Sequence, residues 1–304
     1  MAFAAFGSSS ATEHKGPTKS GAIVLALLMP GLIYLGLFFF TPLFSLIITS
    51  LQAPAETGGI GEYVYAFNVE NYKYVVENYL PQILRSFYYA TVATIVALLI
   101  SYPLAYFIGV KLRNRPLLKS LMLTLVIAPF FISFLLRTIA WKSIFSDGGA
   151  VMQTVYNLGL MQPSEHFLGS DFAVIFGLTY NFIPFMTLPL YTTLERFDTR
   201  LLEAGSDLYA NPSKVFMKVT LPITTPGIIS GTLLVFIPIA GDYVNASRDF
   251  LGSAKTSMIG TMVESDFLQN WDYPSASALS VLLMAVIVIL VATYVRSAGT
   301  EDLL

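Results

Sequence analysis

The stretch EAGSDLYANPSKVFMKVTLPITTPG, residues 203–227, decides the reading of this chain. It is charged, compatible with a helix, and flanked on both sides by strongly apolar runs. Between Leu201 and Lys218, apolar residues stand at Leu201, Leu202, Leu208, Val215 and Phe216, while Glu203 and Asp207 are four apart on one helical face. A short helix of this kind can seat in a cleft on another protein, with its acidic residues near basic partner groups. It can equally lie on lipid headgroups, helped by Lys214 and Lys218. Both readings presuppose a membrane.

Composition supplies one. Hydrophobic residues make up 55% of the chain and charged residues 12%, against about 25% charged in a soluble domain, and the mean hydropathy is +0.67. Six runs approach the roughly 20 residues that a helix needs to cross a bilayer: approximately 21–51, 83–110, 117–141, 172–194, 223–241 and 276–295. The expected fold is therefore all-α and polytopic, with six transmembrane helices. A tail over 1–20, a polar loop over 195–222 and a tail over 297–304 complete it. No charge occurs between Lys19 and Glu56, or between Asp272 and Arg296, so the first and last spans are uninterrupted. Arg85, Lys119 and Arg137 stand near span ends, where long side chains reach the headgroups.

Orientation follows from the lysines and arginines on alternate sides of these spans. One side holds Lys15, Lys19, Lys111, Arg113, Arg115, Lys119, Arg196, Arg200, Lys214, Lys218 and Arg296, and the other holds Lys73, Arg85, Arg137, Lys142, Arg248 and Lys255. The richer side is expected to be cytoplasmic, together with both termini and the Glu203 loop. Twelve of the nineteen carboxylates then lie outside, where they outnumber the six cations. The apolar run after Lys19 is too long for a cleavable leader.

Other chemistries find little support. The chain has no cysteine, which excludes disulfides and thiolate metal sites. Its two histidines, His14 and His166, fall in different aqueous regions, and no metal site or catalytic constellation is expected. Gly252-Ser253-Ala254-Lys255-Thr256 lacks the glycine spacing of a phosphate-binding loop. A short amphipathic helix is expected in an outer loop over residues 68–79, NVENYKYVVENY. Pro30, Pro42, Pro103, Pro129, Pro184, Pro189, Pro226 and Pro238 lie inside spans, where each removes a backbone donor. The freed carbonyls need partners within protein or beside a water-filled path.

With no catalytic apparatus of its own, the chain must draw its energy from a partner, and a resemblance names one. Residues 203–227 resemble the EAA loop of ABC-importer permeases. Glu203 and Ala204 match, Gly205 replaces the second alanine, and Val219, Leu221 and Pro222 match the Ile-x-Leu-Pro ending. Tyr209 stands where the family has glycine, so the turn there is expected from Asn211-Pro212. The likeness extends through Pro129-Phe130-Phe131, Leu136-Arg137-Thr138, Gly177-Leu178-Thr179-Tyr180, Pro184-Phe185-Met186, Pro189-Leu190-Tyr191 and Leu194-Glu195. It continues in Pro226-Gly227-Ile228-Ile229-Ser230-Gly231, Gly241-Asp242-Tyr243-Val244, Ile259-Gly260 and Trp271-Asp272-Tyr273-Pro274. In these residues the chain is similar to the spermidine/putrescine permease branch of the type I importers.

The resemblance implies a type I ABC importer (MetI-like) permease fold in the bacterial cytoplasmic membrane. It also implies a second permease subunit, two copies of a cytoplasmic ATPase and an extracytoplasmic substrate-binding protein. ATP and magnesium would be bound by the ATPase, leaving this chain with no cofactor and no nucleic-acid partner. It assigns coupling to Glu203, Ala204, Gly205, Asp207, Leu208 and Tyr209. A polyamine path needs carboxylates for ammonium groups and aromatic faces for methylenes, and Asp242, Tyr243, Asp249, Glu264, Asp266, Trp271 and Asp272 suit it. The same carboxylates suit a docking face for a binding protein. An importer of iron, sulfate or another small solute, a stand-alone secondary transporter, and a membrane scaffold are the other readings. A copurifying ATPase separates the first of these from the last two.

Overall fold

The structure, a computed structural model, describes residues 20–298 except 57 and 163. The two expected tails fall, but for residues 20, 297 and 298, outside the described residues. The chain divides into two compact units, Met1–Ile48 and Thr49–Leu304. In the first, α1 (Ser20–Leu35) passes through a π-helical turn at Gly36–Phe40 into α2 (Thr41–Ser50). The Gly36 carbonyl accepts both the Thr41 N–H, which closes the wider turn, and the Thr41 hydroxyl at 3.2 Å.

The second unit opens with an antiparallel hairpin, β1 (Gln52–Pro54) and β2 (Tyr63–Tyr65), in which Gln52 pairs with Tyr65. Helix α3 follows at Glu70–Tyr106, then α4 (Pro116–Ile127), α5 (Phe134–Phe145), α6 (Ala150–Asn157) and α7 (Asp171–Arg196). Next come α8 (Arg200–Asp207), α9 (Pro212–Val215), α10 (Leu221–Ala240), α11 (Ile259–Leu268) and α12 (Tyr273–Ala298). Among the described residues five helices are long and apolar enough to cross a membrane, or six if one bent pair counts as a single span.

Three expectations about individual segments change. The run 117–141 is not one straight helix: α4 and α5 are bent by 93° across a break. Pro129 sits in a 3-10 turn at Ala128–Phe131, and Ile132 and Ser133 then adopt extended ψ values of 135° and 137°. A proline without an N–H in this turn leaves nothing to carry the α ladder across. Residues 70–79 are not a separate loop helix but the first turns of the 37-residue α3. The fifth helix begins well before 223, since α9 runs through a π-helical turn at Phe216–Thr220 into α10 and gives one 29-residue run, Pro212–Ala240.

Helices α3, α7 and α10 form the centre. Tyr89 meets Asp171, Ser101 meets Ile183 and Gly109 packs on Leu194, so α3 and α7 run parallel. Gly227 faces Thr193 and Gly231 faces Met186, so α7 and α10 run antiparallel. Lipid tails compete equally for apolar surface, so close backbone approach between small residues has to hold such helices together. Ala90, Ala93, Ala97 and Ala105 of α3 are fully buried in this core. On α10 the pair Gly227 and Gly231 does the same: a Cβ at Gly227 would lie 2.5 Å from Thr193 Oγ1, and one at Gly231 would lie 2.8 Å from Met186 Sδ. The buried Tyr102 hydroxyl and Thr224 Oγ1, 2.8 Å apart, tie α3 to α10.

Candidate functional site

Antiparallel packing of α7 and α10 places two groups of residues at opposite ends of the bundle. At one end α7 leads into α8, whose exposed residues include Glu203, Ala204 and Asp207, with Leu208 exposed just past its end. Glu203 lies in the first turn, where a carboxylate complements the positive end of the helix dipole. Gly205 faces the other way, onto α9. A Cβ there would come within 3.0 Å of Val215 Cγ2, so an alanine would press on α9.

Helix α8 ends in a Schellman arrangement, with Tyr209 N–H donating to the Ser206 carbonyl at 2.9 Å and Ala210 N–H to the Gly205 carbonyl at 3.2 Å. The position that glycine usually fills belongs to Tyr209, at φ 54°. The turn expected from Asn211-Pro212 is thus made by Tyr209 itself, at a cost of about 1–2 kcal/mol for an L-residue in the left-handed region. Asn211 instead caps α9, where its side chain accepts from Ser213 N–H and Pro212 is the first helical residue. Tyr209 is 99% exposed and Leu208 81% exposed. Strained backbone of this kind recurs at ligand clamps and switch regions.

The approach to α8 is clamped. Arg113, in the connection after α3, donates to the carbonyls of Glu195 and Phe197, the latter at 2.9 Å. Lys119 of α4 pairs with the Glu195 carboxylate, and its ammonium lies 5.5 Å from the Tyr191 ring centroid. Residues 195–197 are therefore tied to α3 and α4 before the chain enters α8. In the sequence Arg113 and Lys119 read only as orientation charges, because nothing local reveals a partner about 80 residues away.

At the other end, the seven residues expected to line a path are not gathered into one site. Asp242 is buried, and Oδ2 accepts Asn245 N–H at 2.8 Å while Oδ1 accepts from Asn245 Nδ2 at 3.0 Å. Burial raises its carboxyl pKa to about 6, and the hydrogen bonds from Asn245 and Ala246 hold it from going higher. Asn245 Oδ1 accepts in turn from Asn181 Nδ2, which also reaches Thr138 Oγ1, both at 3.2 Å. This chain of buried polar groups links α5, α7 and the turn after α10. Next to it, Arg137 is buried, with Nε and one terminal nitrogen unpartnered. Asn181 was the missed signal, since an amide inside an apolar span needs buried partners.

Asp266 is also buried, accepting from Asn270 Nδ2 at 2.9 Å, and burial raises its pKa. Asp272 caps α12 by accepting Ser275 N–H at 3.2 Å. Trp271, at φ 56°, offers its carbonyl to the Tyr63 hydroxyl at 3.1 Å. Asp249 and Glu264 line one cavity of about 490 Å³, while Tyr243 and Glu264 line another of about 530 Å³. Partial burial and the nearby Asp249 charge raise the Glu264 pKa. Among the described residues no cluster of histidine and carboxylate side chains is placed to hold a metal ion.

Comparison with known proteins agrees with this architecture. Residues 101–298 match the family described as binding-protein-dependent transport system inner membrane component. The spermidine/putrescine transport system permease protein PotB of Haemophilus influenzae is 34% identical over 267 residues, 88% of this chain and 91% of its own. The protein of the same name from Escherichia coli K12 is 33% identical, over 87% of this chain and 94% of its own. Among solved structures, a chain of a bacterial ABC transporter that imports the acidic polysaccharide alginate superposes with a TM-score of 0.67. It is 16% identical and covers 93% of this chain and 97% of that one. A chain of the inward-facing MetNI methionine ABC transporter gives 0.57 at 17% identity, over 75% of this chain and 99% of that one.

Proposed function

Because the chain belongs to the family of inner membrane components of binding-protein-dependent transport systems, we propose that it forms the transmembrane path for spermidine and putrescine in an ATP-driven importer. The observation that carries this reading is the 34% identity to a spermidine/putrescine permease along nearly the whole of both chains. Fold alone does not select the cargo, since a chain of the same fold serves an alginate importer. The charge balance supports a cation: twelve carboxylates face six lysines and arginines on the side opposite α8.

In this reading the α8 end is cytoplasmic. The stripe of Glu203, Ala204, Asp207 and Leu208, with Tyr209 beyond it, seats in one of two ATPase subunits, and a second permease completes the path. ATP and its magnesium stay with the ATPase. Gly205 lets α8 pack on α9, so that motion of the docked helix passes into α10, while the Arg113 and Lys119 clamp passes it to α3 and α4. An extracytoplasmic binding protein delivers cargo at the opposite end.

Orientation has a direct test, made clean by the absence of native cysteine. In intact cells, single cysteines replacing Asn114 and Ser213 are expected to resist an impermeant thiol reagent, and cysteines replacing Gly59 and Gly148 are expected to react. Labelling at position 213 from outside would invert the orientation and remove the coupling reading with it. For the cargo, the complex in proteoliposomes is expected to hydrolyse ATP faster when its binding protein is loaded with spermidine or putrescine. Uptake should weaken as salt screens the acidic face. Stimulation by sulfate and by no polyamine would leave an importer with a different cargo.

A further inference from the structure

Helix α11 separates two cavities. Thr261, Met262 and Ser265 of its one side, with Gln269 just past its end, line the 490 Å³ chamber together with Asp249 and Gln82. Gly260, Val263, Phe267 and Leu268 of its other side line the 530 Å³ chamber together with Tyr243. Glu264 alone belongs to both walls.

The chambers differ in chemistry. The first is lined by hydroxyls of Ser247, Ser253, Ser257 and Ser265, by the Asp249 carboxylate and by the buried Gln82 Oε1, which has no hydrogen-bond partner. Arg248 shares this wall and offsets one of the two carboxylates, leaving one net negative charge. Among the described residues neither the Asp249 nor the Glu264 side chain makes an ion pair. The second chamber is lined by two half-exposed aromatic rings, Tyr243 and Phe267, and by aliphatic Val263, Leu268 and Leu283. Rings beside a carboxylate attract ammonium groups and also pack methylenes.

We propose that these chambers form a two-part cargo site in which Glu264 measures chain length, an inference that rests on the polyamine reading above. One ammonium sits in the hydroxyl-lined chamber, between Asp249 and Gln82 Oε1. A second ammonium, one methylene spacer away, pairs with Glu264 at the partition. Putrescine ends there. Spermidine carries a further aminopropyl arm, which enters the second chamber and lies on Tyr243 and Phe267. Glu264 and Asp249 thus serve both cargoes, and Tyr243 serves the longer one.

The test uses the intact complex in proteoliposomes, with its binding protein saturated by either cargo so that turnover reports the permease. Glu264→Gln is expected to lower turnover of both polyamines about tenfold or more, the scale of a lost charge-assisted hydrogen bond. Glu264→Asp should restore part of it. Tyr243→Leu should lower spermidine turnover about tenfold and putrescine turnover less than twofold; Tyr243 is half-exposed, so the fold tolerates the change. Turnover within twofold of wild type in every variant, or equal losses of both cargoes in Tyr243→Leu, would overturn the length-measuring site. A wild-type complex that moves neither polyamine would instead overturn the functional reading, and this site with it.

Discussion

Replacing Glu203 by lysine is expected to reduce uptake more than a hundredfold while the protein still inserts. Two effects add. The carboxylate in the first turn of α8 is exposed and favours the helix, so a cation there loses up to about 1 kcal/mol of helix-end stabilisation. At an interface with basic partner groups, the like-charge contact costs several kcal/mol more. Uptake, and retention of the ATPase during purification, should fall together at equal amounts of membrane-inserted chain. Normal uptake with the ATPase still bound would remove Glu203 from the docking face.

Gly231→Val is expected to act on the bundle itself. Its added Cβ would lie 2.8 Å from Met186 Sδ and 3.2 Å from the Met186 carbonyl oxygen. The sulfur can swing aside, but the carbonyl belongs to α7 and moves only with that helix. Overpacking of this kind costs about 1–3 kcal/mol, and the β-branch adds bulk on both sides of the crossing. The thermal midpoint of the purified complex should drop by several degrees. Gly148→Ala, where nothing lies within 4 Å of the added Cβ, should leave it unchanged. Equal midpoints for the two variants would show that the α7 and α10 backbones are not held at this distance.

The spans were legible because a lipid-facing helix must be apolar over its whole length, and that pattern is local. Pro129 marked a disturbance in the third span, yet a 93° bend depends on the extended backbone at Ile132 and Ser133, which no residue type there dictates. Residues 68–79 carry a helical pattern and Pro81 reads as its stop before the next apolar run, yet α3 continues through Pro81. At the α8 end, the exposed stripe follows from the spacing of Glu203 and Asp207. The left-handed Tyr209 could not be read, because sequence logic gives that position to glycine. Asp242 was visible as a carboxylate at the end of a span. Its engagement with Asn245, and through it with Asn181 and Thr138, joins residues more than a hundred positions apart. The division between the two chambers depends on the rotational phase of α11, which only packing against α3 and α12 sets.

The unbroken helical run from Pro212 to Ala240 carries a mechanical consequence. Gly227 and Gly231 bring it close against α7, and this crossing can serve as a fulcrum. At 1.5 Å per residue, the arm from Pro212 to the fulcrum is about 25 Å long and the arm from there to Ala240 about 17 Å. Tilting about that point would make the displacement at the Ala240 end about a third smaller than at the Pro212 end, and the force there about half larger. A device with these proportions trades travel for thrust, which suits prying apart packed polar groups such as those around Asp242 more than sweeping a wide passage.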